Sequence, residues 1–439
     1  MSQSEARCVS AKKSTVAKGV GGSAQRPPEP PEVSGPSGPG IVVLSTLFPS
    51  SVSPFSGLFI RERMFRVAKT LPLEVVSPVP WFPLQSLLRR LRPGFRPMPP
   101  RTEQQDGITV HFPRFLSLPG LLRRLDGLSI AVCCFPLMRR LTAGTGVQII
   151  DSHFAYPDGY AAMTLGRWLK VPTTTTLRGS EVRLSSDPVF ARRIRAAVDG
   201  CDQVFSVCDA LRHTVLAIGA DGAGIQVVPN GVDIEKFRPI DQATARQKLG
   251  LEPDDLVLVS VGGLVEGKGF HRVIEVLPAL RERFPALNFL IVGKGWPWDD
   301  WEARLRSQVI ELGLADCVKF LGPVAPEQLH VPLSAADLFV LATRSEGWAN
   351  VLLEAMACGL PVVTTRVGGN PEVVQREDLG VLVEFGDAAE LESALAEALA
   401  RRWDRAAILQ YALDNQWDTR VAELVGTFRR LANHARARS

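Results

Sequence analysis

Two glutamates stand eight positions apart in the segment SEGWANVLLEAMACGLPVV, residues 345–363. Glu346 lies in a predicted loop after an apolar run, and Glu354 lies in a predicted helix that begins near Asn350 and ends before Pro361. Carboxylates accept hydrogen bonds from hydroxyl groups, and the free amides at a helix start favour an anionic diphosphate. A plainer interpretation stays open, in which Glu346 is a solvated turn residue and Glu354 stabilises its own helix.

A glycine-rich loop, VGGLVEGKGF at 261–270, leaves a predicted strand and opens a predicted helix. Its glycines let the backbone approach a ligand, and Lys268 is one of the chain's few lysines. This combination is typical of a diphosphate cradle, although it also fits an ordinary turn with a solvated lysine. Glycines follow two neighbouring predicted strands as well, at Gly293, Gly295 and Gly368.

Polar residues follow two apolar runs in the N-terminal half of the chain. His153 and Asp158 come after the run at 147–152, and Arg178 follows the run TTTTL. The position of His153 at a strand end favours a functional role, while a buried structural histidine is the alternative. Because ligands bind at the carboxyl ends of parallel strands, we expect these side chains to face a crevice.

The elements that must position these residues are short apolar strands alternating with helices, which predicts parallel sheets built from βαβ units. The predicted strands are 41–49, 147–154, 173–179, 202–208, 225–231, 256–264, 287–295, 318–322, 338–343 and 361–365. The predicted helices are 57–69, 158–169, 188–198, 270–284, 301–312, 326–335, 349–358, 388–401 and 417–435. The alternation restarts after a polar stretch near Arg238, so we expect two α/β domains and a final amphipathic helix.

Length and composition agree with this organisation. The 439 residues predict two or three domains, and 46% hydrophobic residues can form a sizeable core. Residues 1–40 are rich in Ser, Gly and Pro and predict a disordered tail. We expect an N-terminal domain at 41–238, a C-terminal domain at 239–410 and a crossing helix with its tail at 411–439.

The seven cysteines are scattered through apolar stretches, which is typical of reduced thiols in a cytoplasmic protein. They do not form a disulfide framework or show the spacing of zinc ligands. No run of about eighteen apolar residues occurs, so we expect no helix that spans a membrane.

The formal net charge of +4 conceals an uneven distribution. Residues 61–140 contain fourteen Lys or Arg and five Asp or Glu, which gives this segment +9. Leucines flank arginine pairs within 83–97, 116–128 and 133–141, a pattern that favours contact with an anionic membrane surface. An arginine-rich solvated face is the alternative, and the pattern does not indicate nucleic-acid binding.

Taken together, these motifs resemble glycosyltransferase family 4, whose members are retaining enzymes with the two-lobed GT-B fold. The resemblance is carried by the E-x7-E pair of Glu346 and Glu354 and by the strings VGGLVEGKG, LIVGKG, VKFLG, ADLFVL and VGGNPE. It spans most of the chain after the tail and is most specific in the C-terminal half. The implied fold is α/β, with two Rossmann-like doubly wound domains facing a central cleft and a C-terminal helix that crosses back.

The resemblance implies a nucleotide-diphosphate-sugar donor, no metal ion and no other cofactor. By this analogy Lys268 neutralises the diphosphate, Glu346 holds the donor sugar and Glu354 binds the ribose. Loops at 293–295 and 320–322 would hold the base. The donor-binding residues that it implies are Gly57, Gly263, Lys268, Gly293, Gly295, Leu321, Gly347, Trp348, Asn350, Val351 and Glu354.

On the other side of the cleft, the resemblance implies catalytic roles for Arg178 and His153 beside Glu346, and acceptor-side positions for Arg61 and Asp158. Two departures from the family stand out. Arg178 occupies a place where many members carry histidine, and Gly263 occupies a place where members commonly carry arginine. Retention in this fold is pictured as front-face attack assisted by the leaving phosphate, so a dedicated protein base is not expected.

The resulting expectation is a retaining, metal-independent glycosyltransferase acting on a glycan or lipid-linked acceptor, in exopolysaccharide, lipopolysaccharide or glycolipid assembly. We expect it in the cytoplasm, at the inner face of the cytoplasmic membrane. An NDP-sugar epimerase or hydrolase of the same fold and a non-catalytic sugar-nucleotide-binding subunit are the alternatives.

Overall fold

The computed structural model describes residues 40–83, 85–91, 95–118, 123–144, 147–296 and 299–438. The predicted disordered tail, 1–40, lies outside the described residues apart from Gly40. Parts of the predicted membrane-binding segments 83–97 and 116–128 also lie outside them.

The described part of the first lobe contains ten strands. They are β1 (Gly40–Leu44), β2 (Leu73–Val76), β3 (Val79–Trp81), β4 (Thr102–Gln105), β5 (Ile108–His111), β6 (Arg114–Leu116), β7 (Val147–His153), β8 (Thr173–Leu177), β9 (Gln203–Ser206) and β10 (Ile225–Val227). Eight of them form one sheet in the order β10-β9-β8-β7-β1-β2-β5-β4, while β3 and β6 pair separately. All pairs in the large sheet are parallel except β4 with β5.

Helices cover both faces of this sheet. They are α1 (Leu58–Ala68), α2 (Gln85–Leu91), α3 (Asp126–Gly144), α4 (Tyr160–Leu169), α5 (Ser180–Leu184), α6 (Pro188–Gly200) and α7 (Asp209–Ala217). The central strands β1 and β8 are buried along their whole length, which suits their β-branched side chains. The Asp187 side chain caps α6 by accepting a hydrogen bond from the Val189 amide, with Pro188 at the first helical position.

The second lobe is a six-stranded parallel sheet. Its strands are β11 (Leu256–Val261), β12 (Leu287–Val292), β13 (Val318–Gly322), β14 (Leu338–Leu341), β15 (Val362–Thr365) and β16 (Gly380–Val383), in the order β13-β12-β11-β14-β15-β16. The helices that follow the first lobe are α8 (Gln242–Leu249), α9 (Phe270–Arg283), α10 (Glu302–Glu311), α11 (His330–Ala335), α12 (Asn350–Ala357), α13 (Asn370–Val373), α14 (Ala388–Ala400) and α15 (Arg405–Asp414). In both sheets the strand order reverses direction near the first strand, which opens a crevice at the carboxyl ends.

The final helix, α16 (Trp417–Arg438), returns from the second lobe to the first. Its apolar stripe, including Leu424, Val425 and Phe428, packs into the core formed by β1, β7 and α1. The Phe428 ring meets Phe205 of β9 edge to face, with ring centroids 6.1 Å apart. The final helix therefore packs against the sheet that contains β1.

The predicted α/β architecture, two doubly wound sheets and a helix crossing back, is confirmed. The predicted strands are present, although several end two to five residues earlier because their last residues belong to the loops of the crevice. Among the elements that were not predicted are the strands β2, β5 and β4 on one side of the first sheet, the edge strand β16 and the long helix α3, since their apolar runs are short or interrupted. The predicted helix 326–335 divides into a 3-10 turn at Pro326–Gln328 and α11.

Within the described ranges, no helix is long and apolar enough to span a bilayer.

Replacing Phe428 by alanine tests the contribution of the returning helix. Because the ring is fully buried against the first sheet, we expect a loss of about 3–5 kcal/mol in the free energy of unfolding. The measurement is denaturant unfolding followed by circular dichroism. The exposed neighbour Arg429→Ala is the control and should change stability by less than about 0.5 kcal/mol. Equal stability of the two variants would show that the helix contributes little.

Candidate active site

A cleft of about 480 Å³ lies between the two sheets, at the carboxyl ends of their strands. Loops that follow β1, β8 and β9 form one wall, and loops that follow β11, β12 and β14 form the other. Ten residues predicted from the sequence line it: Arg178, Gly263, Lys268, Gly293, Glu346, Gly347, Trp348, Asn350, Val351 and Glu354. The structure thus brings the glycine-rich loop, the glutamate pair and Arg178 to one place.

An ion pair joins the two groups that the sequence analysis assigned to different parts of the donor. The Lys268 ammonium donates to Glu346 Oε1 at 2.5 Å. Their side chains are 26% and 11% exposed, so both are partly shielded from water. Because both groups are partly buried, water screens their attraction only in part. An anion that binds Lys268 must therefore compete with the Glu346 carboxylate.

The loop carrying Glu346 passes very close to the first lobe at Gly347. A Cβ atom added there would lie 2.2 Å from the carbonyl oxygen of Arg178. The Cys208 thiol donates to the Gly347 carbonyl oxygen at 3.0 Å, and burial raises the pKa of that thiol to about 12. Only glycine fits where the loop meets the backbone of Arg178. Gly347 therefore has a structural role in addition to its predicted role in donor binding.

Arg178 forms a hydrogen-bonded chain that spans the cleft. Its Nε donates to His153 Nδ1 at 3.1 Å, and its Nη1 donates to Asn230 Oδ1 at 3.1 Å. Asn230 Nδ2 in turn donates to Asn350 Oδ1, 2.9 Å away on the first residue of α12. The guanidinium also lies over the Phe59 ring, 5.1 Å from its centroid. Side chains of both lobes therefore fix the position of Arg178.

Burial disfavours the charged forms of Arg178 and His153. It lowers the pKa of Arg178, as does the nearby Arg63, while Asp151 and Glu181 oppose the change. Burial and these two arginines hold the pKa of His153 well below its usual range, so its imidazole is neutral. Since Nδ1 accepts from Arg178, the ring proton resides on Nε2, 3.4 Å from Asp151 Oδ2. His153 thus orients Arg178 from behind, and it is itself fully buried.

Asp158 holds the loop after β1 in place. Its Oδ2 accepts hydrogen bonds from the Thr46 amide at 2.9 Å, the Thr46 hydroxyl at 3.2 Å and the Ser45 hydroxyl at 3.3 Å. Burial raises the pKa of Asp158 to about 7, although these donors oppose the change. The structure therefore places Asp158 beneath the cleft, where it shapes the first loop.

Four further residues predicted from the sequence lie beside the cleft or away from it. Gly57 begins α1 with φ +69°, where a Cβ would lie 2.4 Å from the Leu47 carbonyl oxygen. Gly295 packs against the Asp300 side chain, and Leu321 packs against the core of the second lobe. Arg61 pairs with Asp106 at 2.6 Å and borders a separate depression with Glu62 and Lys236. Its acceptor-side role stays a prediction.

The surroundings of Gly263 leave little space for a side chain. A Cβ at Gly263 would lie 2.9 Å from Nε1 of Trp296, whose side chain also lines the cleft. Lys294, from the same loop as Trp296, places its Nζ 5.3 Å from the centre of the Phe55 ring in the first lobe. Trp296 and Lys294 were not predicted, because no local pattern distinguishes them from ordinary loop residues.

Glu354 lies in the second turn of α12 and is partly exposed to the cleft. Burial, with a contribution from Glu62, raises the pKa of its carboxyl group to about 7, and Lys236 opposes the change. Near neutral pH this group can both donate and accept hydrogen bonds, which suits contact with hydroxyl groups.

Two carboxylates missed by the sequence analysis hold the loops of the site. Glu181 accepts from the amides of Ala155, Arg178 and Gly179, at 2.9, 3.2 and 2.8 Å. Glu372, in the second lobe, accepts from the amides of Asp209 and Ala210 and so caps α7 of the first lobe, at 2.8 and 2.9 Å. The VGGNPE string signalled Glu372, but only its glycines were interpreted.

Asp158→Asn keeps an oxygen that can accept from Thr46 and removes the titration. Because the pKa of Asp158 is raised in the folded state, the folded protein holds a proton that the unfolded chain has lost between about pH 4 and 7. Wild-type stability should therefore fall relative to the variant as pH rises through this window, by up to about 1.4 kcal/mol per pH unit. The measurement is urea unfolding at several pH values. The exposed Asp254→Asn is the control, and a pH-independent difference for Asp158→Asn would contradict the assignment.

Comparison with known proteins identifies two family matches, one within each lobe. Residues 241–414 match the family described as Glycosyl transferases group 1, and residues 91–236 match Glycosyltransferase Family 4.

Two relatives illustrate the similarity in sequence. D-inositol 3-phosphate glycosyltransferase of Geodermatophilus obscurus is 32% identical over 365 residues, which cover 78% of this chain and 80% of the relative. The GDP-mannose-dependent alpha-(1-6)-phosphatidylinositol monomannoside mannosyltransferase of Mycobacterium tuberculosis is 33% identical over 309 residues, covering 66% of this chain and 78% of the relative.

A solved structure shares the fold. Anabaena Alr3699/HepE, determined in complex with UDP, superposes with a TM-score of 0.67 at 20% identity and covers 88% of this chain and 99% of its own. The predicted GT-B arrangement of the two lobes is thereby confirmed.

Proposed function

Since this chain belongs to the glycosyltransferases of family 4, within glycosyl transferases group 1, we propose that it moves a sugar from a nucleotide-diphosphate donor to a glycan or lipid-linked acceptor with retention. The observation that carries this proposal is the Lys268–Glu346 ion pair in the cleft, beside Asn350 at the start of α12. A cation and a helix start favour a diphosphate, and a carboxylate favours sugar hydroxyls.

The donor diphosphate lies, in this proposal, between the second-lobe lysines and Arg178. Lys268 and Lys294 line the cleft from the second lobe, and Arg178 lines it from the first. The Nη2 of Arg178 is shielded from water and has no hydrogen-bond partner within the described residues. A phosphate oxygen would satisfy it, and these cations would stabilise the charge that develops on the leaving group without a metal ion.

Transfer then proceeds on one face of the donor sugar. The acceptor hydroxyl oxygen bonds to the anomeric carbon as the bond from that carbon to the phosphate oxygen breaks. The hydroxyl proton passes to the leaving diphosphate, which serves as the base. His153 is not available as the base in this proposal, because it is buried and its Nδ1 already accepts a hydrogen bond from Arg178. Its imidazole is neutral.

The relatives and neighbours support the substrate class. One relative uses GDP-mannose according to its name, another acts on inositol 3-phosphate, and one structural neighbour was solved with UDP. A phosphorylated or lipid-linked acceptor also fits the arginine-rich first lobe. We place the reaction at the inner face of the cytoplasmic membrane, in the assembly of a surface polysaccharide or glycolipid.

A thermal-shift screen of UDP-, GDP-, ADP- and TDP-sugars, followed by turnover assays with EDTA present, tests the proposed function. We expect one nucleotide to stabilise the protein by about 2.7 kcal/mol at a hundredfold excess over its Kd. Conversion of the sugar without an acceptor would identify an epimerase or hydrolase instead. Binding without any turnover across an acceptor panel would identify a non-catalytic subunit, and no binding at all would reject the proposal.

Lys268→Met and Glu346→Gln separate phosphate binding from sugar binding. Lys268→Met should weaken binding of the nucleoside diphosphate by about 1.5–3 kcal/mol. Binding of the nucleoside monophosphate should stay nearly unchanged, because in this proposal the lysine contacts the outer phosphate. Glu346→Gln should lower turnover by at least about a hundredfold while the free nucleotide still binds.

Isothermal titration and initial-rate kinetics provide these measurements. The exposed Lys248→Met and Glu377→Gln serve as charge-matched controls. Equal losses for monophosphate and diphosphate in Lys268→Met, or full turnover in Glu346→Gln, would overturn the roles given to these residues.

A further inference from the structure

A second cavity of about 540 Å³ lies in the first lobe and is lined by three arginines, Arg89, Arg101 and Arg114. Its wall is completed by Trp81, Met98, Leu116 and Cys133. We call it the arginine pocket. None of these residues lines the cleft described above.

The arginine pocket lies at the same edge of the first sheet as the cleft. The small β3–β6 sheet follows the carboxyl ends of β2 and β5, which run parallel to β1 and β2 respectively. Arg101 directly precedes β4, whose first residue, Thr102, pairs with His111 at the end of β5. Because β1 ends in the cleft, the pocket is displaced from the cleft only sideways, toward the outer strands of the sheet.

Among the described residues, the three arginines form a positive site without a neutralising carboxylate. Arg114 donates to the carbonyl oxygens of Phe112 and Pro99, at 2.9 and 2.5 Å. Burial, together with the charges of Arg101 and Arg89, lowers the pKa of Arg114. The Nε of Arg89 is shielded from water without a hydrogen-bond partner, and none of the three pairs with a carboxylate in the part of the chain that the structure describes. Such a site is completed by an anion.

Large apolar side chains stand exposed around this positive site. Trp81 and Leu116 are opposite each other in the small sheet and are 41% and 49% exposed. Leu87, two residues before Arg89 on α2, is 53% exposed, and Val132, next to Cys133 on α3, is 56% exposed. A site for a free anion does not need an apolar rim, whereas tryptophan and leucine beside arginines are typical of a surface that meets a lipid bilayer.

We propose that the arginine pocket binds the headgroup phosphate of an anionic phospholipid, while Trp81, Leu87 and Leu116 enter the interfacial region of the membrane. This inference rests on the proposed function, in which the pocket would hold the acceptor edge of the cleft against the bilayer. The inference goes beyond that function because it assigns lipid binding to one pocket. A generally basic surface would instead attract lipid through its total charge.

Co-sedimentation of the full chain with phosphatidylcholine vesicles, with and without phosphatidylglycerol, tests this pocket. The test variant is Arg89→Gln with Arg101→Gln. The control variant is Arg90→Gln with Arg139→Gln, which removes the same charge from exposed positions on α2 and α3 outside the pocket. We expect the test variant to lose about tenfold more affinity for anionic vesicles than the control.

Two further arms distinguish the source of the phosphate and the role of the rim. Trp81→Ala should weaken vesicle binding and leave binding of inorganic phosphate unchanged. Because Arg101 is exposed and its guanidinium has no hydrogen bond to the described part of the protein, Arg101→Gln alone should keep the wild-type melting temperature and still weaken vesicle binding. These two variants keep the test valid where the double variant folds poorly.

Several results would overturn the proposal. Equal losses in the test and control variants would show that only total charge matters. Binding of inorganic phosphate that depends on Arg89 and Arg101, without vesicle binding, would indicate a soluble anion as the ligand. Arginine-dependent binding of single-stranded DNA without vesicle binding would indicate nucleic acid.

The nucleotide screen separates this proposal from the proposed function. The arginine-pocket variants should retain wild-type stabilisation by the donor nucleotide, because none of their residues lines the cleft. Vesicle binding without nucleotide binding would reject the glycosyltransferase proposal and support the pocket. Nucleotide binding without arginine-dependent vesicle binding would reject the lipid-binding role of the arginine pocket and support the glycosyltransferase proposal.

Discussion

The contact between Gly347 and the backbone of Arg178 is the constraint on which the site depends. A side chain at position 347 would overlap the Arg178 carbonyl oxygen, so the loop after β14 reaches the first lobe only through glycine. This approach brings Asn350 to Asn230 and sets Glu346 beside Lys268. The Glu372 carboxylate, which caps α7 across the lobes, supports the same approach from its other side. The cleft is thus defined by backbone contacts, and its reactive side chains are placed by them.

The two walls of the cleft handle charge in different ways. In the first lobe Arg178 is buried among neutral or hydrogen-bonded groups, and its position is fixed by His153 and Asn230. In the second lobe Lys268 is partly exposed and held by a single carboxylate. A fixed cation suits a group whose charge develops during the reaction, because it needs no reorganisation. A cation that can change partners suits a substrate that must enter and leave.

The fold and much of the cleft could be predicted from the sequence, because both follow local patterns. Short apolar runs marked the central strands, and the E-x7-E spacing placed Glu346 and Glu354 around the start of α12. Contacts between distant segments left no such signal. Nothing near Asn230 or Glu181 predicts that they hold Arg178 and its loop. The outer strands β2, β4 and β5 were missed because polar residues interrupt or replace their apolar runs, as LEVV, TEQQ and ITVH show.

The two positions at which the resemblance implies other residue types, Gly263 and Arg178, line the same cleft. The resemblance implies arginine in place of Gly263 and histidine in place of Arg178. Trp296 occupies the space beside Gly263, so a larger residue there would displace its indole ring. Arg178 meanwhile supplies a guanidinium to the same cleft from the opposite lobe. Arg178 and Lys268 therefore line one cleft from opposite lobes. In the proposed function, Arg178 would act on the diphosphate from the side of the cleft where its own backbone meets Gly347.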